Sequence, residues 1–243
     1  MLRAVLFDLD DTLLGNSMDT FLPAYFEALT RYMHHLIPPE RLMRKLRRGT
    51  DAMNNDRSHT RTNQEAFVSV FYSALDHDRA GLEMAFERFY VEEFPRLQPL
   101  TRRRSEARFL VSSALEHRLQ VAVATNPLFP RIAVEQRLAW AGVPVDEFSY
   151  ALVTTYETMH TTKSSPLYYQ EILERLDVRP DRALMVGDNW DMDVVPASSV
   201  GLNVYWISDR DEVPASPSSL IGCGTLSELW AAVDERGWAF GRD

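Results

Sequence analysis

Two aspartates separated by one residue follow an apolar run near the start of the chain. The run Ala4–Phe7 leads into the sequence Asp-Leu-Asp-Asp-Thr, in which Asp8, Asp10 and Thr12 alternate. At the end of an extended strand, residues 8 and 10 point to the same side, so their carboxylates repel each other. Mg²⁺ would relieve that repulsion, because it favours one or two carboxylates together with a substrate phosphate. A polar turn is the alternative, since Asp and Thr are common in turns.

A hydroxyl and an amide follow a second apolar run. Thr125 and Asn126 come directly after Val121–Ala124 and before Pro127. At a strand end these side chains can hold an anionic oxygen, helped by the free backbone N–H groups of the next turn. Helix capping or an Asx-turn before the proline is the alternative.

A lysine lies between the apolar run Tyr150–Thr154 and a helix predicted to begin near Pro166. Lys163 could neutralise a phosphate and a nearby carboxylate together, and a solvated loop lysine is the alternative. The chain contains only two lysines, Lys45 and Lys163, and its other basic residues are arginines. Because lysine is so rare in this chain, Lys163 is predicted to occupy a position that requires a compact ammonium group.

Three carboxylates and a glycine follow a further apolar run. Gly187, Asp188, Asn189, Asp191 and Asp193 come after Ala183–Val186. The glycine allows a sharp turn or a close approach of the backbone. Asp188 would then stand at the strand end and Asp193 about one helical turn later, an arrangement that suits a cation. A capped helix start is the alternative, because Asp is favoured there.

The elements that must position these groups alternate between strands and helices. The predicted strands are Ala4–Phe7, Val121–Thr125, Tyr150–Thr154, Ala183–Val186 and Asn203–Ile207. Helical spacing of apolar residues occurs at Arg108–Leu119, Arg131–Trp140, Leu167–Leu176 and Thr225–Val233. This alternation predicts an α/β fold with a doubly wound parallel sheet and helices on both faces. The polar clusters would then meet at the carboxyl ends of the strands, where such sheets form their sites.

Residues 15–105 interrupt this alternation. They show no strand character, and helical spacing is found at Asp19–Leu36, Glu40–Arg48, Asn63–Leu75 and Gly81–Leu97. We therefore predict a helical domain at 15–105, inserted into a core formed by 1–14 and 106–243. Within the insert, Arg47, Arg48 and Gly49 are predicted to form a loop that leans over the core and contacts substrate. A surface loop is predicted at Asp209–Ser219.

Composition excludes several classes of protein. The chain of 243 residues has 26 Lys and Arg against 35 Asp and Glu, a net charge of −9, which argues against broad nucleic-acid or anionic-membrane binding. One cysteine, Cys223, excludes an intramolecular disulfide framework and fits a reducing cytoplasm. No apolar run approaches the length of a membrane span, and carboxylates interrupt the N-terminal apolar stretch, so no signal peptide is predicted. A small anionic substrate remains compatible with this balance.

Taken together, the four clusters resemble the motifs of the haloacid dehalogenase superfamily of phosphohydrolases, in the family's order. The resemblance spans residues 1–14 and about 106–210, and the helical insert looks like the family's C1-type cap. It implies a Rossmann-like core and a Mg²⁺ cofactor. Asp8 would be the nucleophile, and Asp10 the general acid and base, with its backbone carbonyl on the metal. Asp188 would bind Mg²⁺ together with Asp8.

The resemblance also implies how the phosphoryl group is held. Thr125 and the backbone N–H of Asn126 would bind its oxygens, and Lys163 would neutralise both the nucleophile and the phosphoryl group. Asp193 would support the metal or the lysine, with Thr12, Gly187 and Asn189 as further supporting residues. The chain departs from the common pattern at Ser164, where the family often has proline, and at Met192, where it often has asparagine.

The second aspartate separates possible functions within that superfamily. Members that cleave carbon–halogen bonds lack it, because a leaving halide needs no proton. Asp10 therefore favours a Mg²⁺-dependent phosphatase of a small phosphorylated metabolite over a 2-haloacid dehalogenase. A phosphomutase remains open and would require basic cap residues that face the site. A catalytically idle binding scaffold is disfavoured by the complete set of charged residues. The sequence leaves the substrate and the oligomeric state undetermined.

Overall fold

A parallel sheet of six strands lies at the centre of the molecule, in a computed structural model that describes residues 1–56, 58, 60–73, 79–209 and 217–240. The described strands are β1 (Ala4–Phe7), β2 (Leu14–Gly15), β3 (Arg102–Arg103), β4 (Gln120–Val123), β5 (Leu152–Val153), β6 (Ala183–Gly187), β7 (Asn203–Ile207) and β8 (Leu220–Gly224). The sheet order is β5-β4-β1-β6-β7-β8, and every neighbouring pair is parallel. The predicted α/β parallel fold is confirmed.

Strand β1 occupies the middle of this sheet. All four of its residues are buried, and Phe7 pairs with Val123 of β4 on one side and with Val186 of β6 on the other. A strand covered on both faces needs apolar side chains at every position, which explains its unbroken apolar run. The neighbours of β1 lie on opposite sides of it, with β4 on one side and β6 on the other, so the strand order reverses at β1. Residue 8 follows the carboxyl end of β1, which is where an open α/β sheet forms its binding crevice.

Helices cover both faces of the sheet and form the insert. Those described are α1 (Met18–Met33), α2 (Pro39–Asn55), α3 (Asn63–Phe71), α4 (Arg79–Glu92), α5 (Ser105–Glu116), α6 (Arg131–Ala141), α7 (Pro166–Leu176), α8 (Val195–Ser199) and α9 (Leu226–Arg236). Val5 and Phe7 pack into one apolar cluster with α5, α6 and α9. Ala4 and Leu6 pack into the other with α7 and α8. None of the described helices is long and apolar enough to cross a membrane.

The insert begins and ends at a short ribbon. Strands β2 and β3 pair antiparallel, with Leu14 opposite Arg103 and Gly15 opposite Arg102. Helices α1 to α4 lie between these strands in the chain, and none of their described residues joins the six-stranded sheet. The ribbon lies close to both predicted boundaries, although the prediction of no strand character within 15–105 was wrong at the ribbon itself. The division into two domains stays a prediction.

The predicted substrate loop in the insert was wrong. Arg47, Arg48 and Gly49 lie inside α2, which continues to Asn55. Gly49 is buried there because a helix packs against it: a Cβ at this position would lie 2.4 Å from the ring of Phe67. The glycine therefore serves close helix packing instead of a turn.

Other differences follow from local chemistry. The predicted helix Gly81–Leu97 is divided, with α4 ending at Glu92 and a 3₁₀ helix at Phe94–Leu100, because Pro95 interrupts it. Strand β8 was not predicted. Residues 75 and 210–216 lie outside the described part of the chain, so the predicted end of the third insert helix and most of the predicted loop Asp209–Ser219 are not described. Helix α9 begins with a capping box formed by Thr225 and Glu228.

Candidate active site

The first cluster begins where β1 ends. Asp8 directly follows the strand, and its backbone N–H donates to the carbonyl oxygen of Val186 at 2.9 Å, so the nucleophile candidate is still fixed by the sheet. The chain then turns sharply through Asp11, whose φ of 56° lies in the left-handed region. Leu14 N–H closes the turn on the carbonyl of Leu9 at 2.8 Å. This turn returns Thr12 to the site, where its hydroxyl donates to Asp188 Oδ1 at 3.3 Å.

A buried lysine joins two of the carboxylates. The ammonium of Lys163 contacts Asp8 Oδ1 and lies 2.5 Å from Asp193 Oδ1. All three side chains are buried. Burial alone would lower the pKa of Lys163, but the carboxylates of Asp193 and Asp8 raise it above its ordinary value. The lysine therefore remains a cation and bridges the first and fourth clusters.

The carboxylates outnumber the positive charge that faces them. Ligand oxygens of Asp8, Asp188 and Asp193 all lie within 4.8 Å of one another. Burial raises the pKa of Asp8 well above its ordinary value, against the lowering effect of Lys163. Burial and the neighbouring Asp193 raise the pKa of Asp188 to about 6. Burial is the largest cause of both pKa shifts, and the neighbouring carboxylates add to it. A divalent cation with oxygen ligands would offset this excess of carboxylates.

The fourth cluster owes its shape to a glycine and a single π-helical turn at Trp190–Val194. The Asn189 side-chain oxygen caps this turn by accepting from the backbone N–H groups of Asp191 and Met192, each at 3.1 Å. Asp193 Oδ2 accepts from Asn189 N–H at 3.0 Å, and its carboxyl lies 2.4 Å from where a Cβ on Gly187 would stand. With both oxygens of Asp193 engaged, Asp8 and Asp188 are the better metal ligands of the three.

Thr125 and Asn126 lie beside the lysine, as their strand-end position predicts. Asn126 Oδ1 accepts a hydrogen bond from the backbone N–H of Lys163 at 3.3 Å. The Thr125 carbonyl accepts from the hydroxyls of Tyr168 and Thr154, each at 2.8 Å, which fixes the backbone of this segment. The second cluster is thus connected to the loop that carries Lys163.

These groups open into one cavity of about 430 Å³. Its lining includes eight of the predicted core residues, namely Asp8, Asp10, Thr125, Asn126, Lys163, Asp188, Asn189 and Asp193. The insert contributes Ser17, Met18, Asp19 and Leu22, all from α1 or the residue before it. Arg47, Arg48 and Gly49 are absent from the described lining. The structure therefore brings the core clusters together and leaves the predicted cap loop outside.

Sequence reasoning missed Arg137. Its Nη1 lies 2.5 Å from Asp10 Oδ2, and its side chain is 0% exposed. The guanidinium stacks over the ring of Phe129 with Cζ 4.6 Å from the ring centre, while Asn16 donates to Asp10 Oδ1 at 2.8 Å. A signal was present in the sequence: in α6 the arginine falls on the apolar stripe that includes Val134 and Leu138, where a charge needs a buried partner.

The parallel α/β core carries clustered carboxylates and a buried lysine at the carboxyl ends of its strands. This arrangement is typical of an enzyme active site that uses carboxylates and a lysine. The family model for the haloacid dehalogenase-like hydrolases matches residues 2–201. Because this match covers most of the 243 residues, the chain belongs to the haloacid dehalogenase-like hydrolases, and the resemblance seen in the motifs is confirmed. The family generally uses a divalent metal, which agrees with the acidic cluster. A comparison with curated protein sequences found no match.

Solved structures share this fold at low sequence identity. A haloacid dehalogenase-type phosphatase from Thermococcus onnurineus is 24% identical, with a TM-score of 0.56 over 96% of this chain and 98% of that one. A putative β-phosphoglucomutase from Thermotoga maritima is 19% identical, with a TM-score of 0.57 over 97% and 100%. A 2-haloacid dehalogenase from Pseudomonas syringae pv. Tomato DC3000 is 20% identical, with a TM-score of 0.60 over 97% and 99%. These similarities establish the fold, and they span three different activities.

Proposed function

We propose that this protein is a Mg²⁺-dependent phosphatase that hydrolyses a small phosphorylated metabolite through an aspartyl-phosphate on Asp8. The observation that carries the proposal is the contact of the Asp8 carboxylate with the Lys163 ammonium, beside Asp188, in one cavity with Asp10. Phosphoryl transfer depends mainly on positioning and on neutralising charge, and this cluster supplies both.

In the first step, an oxygen of Asp8 attacks phosphorus while the bond from phosphorus to the leaving oxygen breaks. Asp10 donates a proton to that oxygen, so an alcohol departs. In the second step, Asp10 removes a proton from water as the water attacks phosphorus. The phosphorus–Asp8 bond then breaks, which releases inorganic phosphate and restores the carboxylate.

The remaining residues neutralise and hold the phosphoryl group. Lys163 offsets the charge of Asp8 and of one phosphoryl oxygen, while Thr125 and the backbone N–H of Asn126 orient the others. Bound Mg²⁺, held by Asp8, Asp188 and the Asp10 carbonyl, would supply further positive charge against the transferring group. Asp193 keeps the lysine in place through their 2.5 Å ion pair.

A phosphomutase is less well supported, because its insert would need a cation for a second phosphate. The insert residues described in the cavity lining are Ser17, Met18, Asp19 and Leu22, and none of these is basic. A dehalogenase is disfavoured by Asp10, since a leaving halide needs no proton. The geometry of the charged cluster is also too complete to favour an idle scaffold, because buried carboxylates are costly to maintain without a use.

The proposal is tested by phosphate release from a panel of phosphorylated sugars, nucleotides and small acids, in Mg²⁺ and in EDTA. We expect turnover that requires Mg²⁺ and is lost in Asp8→Asn, which preserves the size of the side chain. Asp146→Asn serves as the matched control, because Asp146 is exposed and lies outside the cluster. Chloride release from 2-haloacids without phosphate release, or turnover that survives Asp8→Asn, would contradict the proposal.

A further inference from the structure

The cavity has two chemically different halves. Its floor holds the carboxylates and the lysine that would handle the phosphoryl group. The lining also includes five apolar side chains from three separate segments, called here the apolar wall, namely Met18, Leu22, Leu128, Phe129 and Met192. Such a division suits a ligand with one phosphate and one apolar end, because each end meets a wall of matching polarity.

The apolar wall is attached to the groups that hold Asp10. Asn16 donates to Asp10 Oδ1, and its side-chain nitrogen also lies 3.7 Å from the sulfur of Met18. Arg137 pairs with Asp10 Oδ2 and stacks on the ring of Phe129. The leaving oxygen must lie beside Asp10 to receive a proton, so the organic group that carries it extends toward Met18 and Phe129.

The sulfur of Met192 supplies the third side of this wall. It lies 4.0 Å from the side-chain nitrogen of Asn126, which belongs to the segment proposed to hold the phosphoryl oxygens. Apolar surface therefore begins immediately next to the phosphoryl position. The first few carbons of the leaving group would therefore already contact this apolar surface.

The charges around the cavity oppose a second anionic group. Among the described lining residues the basic one is Lys163, whose ammonium already contacts two carboxylates. Asp19 lies in the first turn of α1, exposed, on the same wall as Met18. A second phosphate or a carboxylate that extends toward Asp19 would therefore meet an anion. Arg104, which lies outside the described lining, pairs with the lining residue Asp11 at 3.5 Å from its Oδ1.

We infer that the substrate is a phosphate monoester whose organic group is uncharged and partly apolar, and that the cavity discriminates against bisphosphates and phosphorylated acids. This inference rests on the proposed phosphatase function. It adds the chemical class of the leaving group, which the conserved chemistry of phosphoryl transfer does not determine.

The test uses n-alkyl phosphates from methyl to butyl, each extension adding one methylene. With the wall as described, kcat/KM rises about fourfold per methylene until the wall is covered. Two matched compounds replace the terminal methyl of the longest ester by a carboxylate or by a second phosphate, and kcat/KM for these falls at least tenfold. Equal or faster turnover of the charged compounds, or no dependence on chain length, would overturn the inference.

Two variants locate the effect on this wall. Leu22→Asn removes apolar surface, so the increase in kcat/KM per methylene becomes smaller. Asp19→Asn removes the opposing charge, so the ratio of kcat/KM between charged and neutral esters moves toward one. Glu27→Gln is the control, because this exposed residue lies on the same helix outside the cavity, and it leaves both the chain-length dependence and the ratio unchanged.

The same experiment separates this inference from the proposed function. If the wild type releases phosphate from none of these esters with Mg²⁺, or Asp8→Asn is as active as the wild type, the proposed function fails and the inference fails with it. If release depends on Asp8 and Mg²⁺ but favours the charged esters, the inference alone is overturned.

Discussion

Replacing Arg137 by methionine should destabilise the protein by about 3 kcal/mol, because it breaks a buried ion pair. Removal of one member of such a pair costs about 3–5 kcal/mol. The lower end applies here, since the Asp10 side chain is 13% exposed at the edge of the cavity and keeps its hydrogen bond from Asn16. Methionine preserves most of the length and apolar contact of the arginine stem over Phe129.

The converse substitution tests the same pair from the other side. Asp10→Asn leaves the Arg137 guanidinium buried without an anion, and Nη2 already forms no hydrogen bond with any described residue. Urea unfolding at pH 7 in EDTA, for the wild type, both single variants and the double variant, gives the coupling energy. We expect at least about 1.5 kcal/mol of coupling between the two charges.

Activity provides a second measure of the same contact. If Arg137 orients Asp10, Arg137→Met lowers kcat for alkyl phosphates about a hundredfold. For aryl phosphates the loss of kcat is much smaller, because the aryl oxide is a good leaving group and departs without receiving a proton. Arg131→Met is the control, since its exposed ion pair on the same helix contributes at most about 1 kcal/mol. The reasoning would be refuted if the losses in unfolding free energy of the two single variants simply added in the double variant. An equal loss of activity on alkyl and aryl phosphates would refute it as well.

Three further substitutions or conditions test other parts of the structure. Lys163→Met leaves two carboxylates buried without a cation, so thermal unfolding in EDTA should show a loss of about 3–5 kcal/mol, and an unchanged Tm would contradict it. The raised pKa of Asp188, about 6, means that the folded metal-free protein holds this proton more tightly than the unfolded chain does. Asp188 therefore contributes a fall in stability of about 3 kcal/mol as pH rises from about 4 through 6, and in urea unfolding Asp188→Asn or saturating Mg²⁺ should make the fall smaller by about that amount. An alanine at Gly49 would place its Cβ against the Phe67 ring and should cost about 1–3 kcal/mol, whereas the exposed Arg48→Ala changes stability by at most about 0.5 kcal/mol. Helix propensity alone would make Gly49→Ala more stable than the wild type, and that result would show that the Phe67 ring can move away freely.

The position of the core clusters could be predicted because it depends on local pattern and one topological rule. Short apolar runs identify buried parallel strands, and polar residues that follow them must lie at the carboxyl edge. Asp8, Thr125 and Asp188 were found in this way. Lys163 needed the family resemblance as well, since its loop position alone indicates a solvated side chain.

Features that depend on distant packing were beyond local reasoning. Arg137 and Asp10 are 127 residues apart in the chain, so no sequence window contains both partners. Gly49 was wrongly predicted to be part of a loop. Its real role is to allow close packing of α2 against Phe67 on another helix, and that contact is not visible in the local sequence. Strand β8 contains two glycines and a cysteine in five residues, and it pairs with β7 through its backbone without an apolar pattern.

The order of the strands also has a consequence for synthesis of the chain. Asp8 and Lys163 are 155 residues apart, so at usual rates of translation on the order of 10–30 s separates them on the ribosome. During that time β1 lacks its sheet neighbour β6 throughout and its other neighbour, β4, until the chain has passed residue 123. The insert depends on contacts between helices close in sequence, such as α1 with α2 and α2 with α3. We therefore expect the insert to fold during translation, while β1 waits for the rest of the core as an unpaired strand that chaperones can recognise.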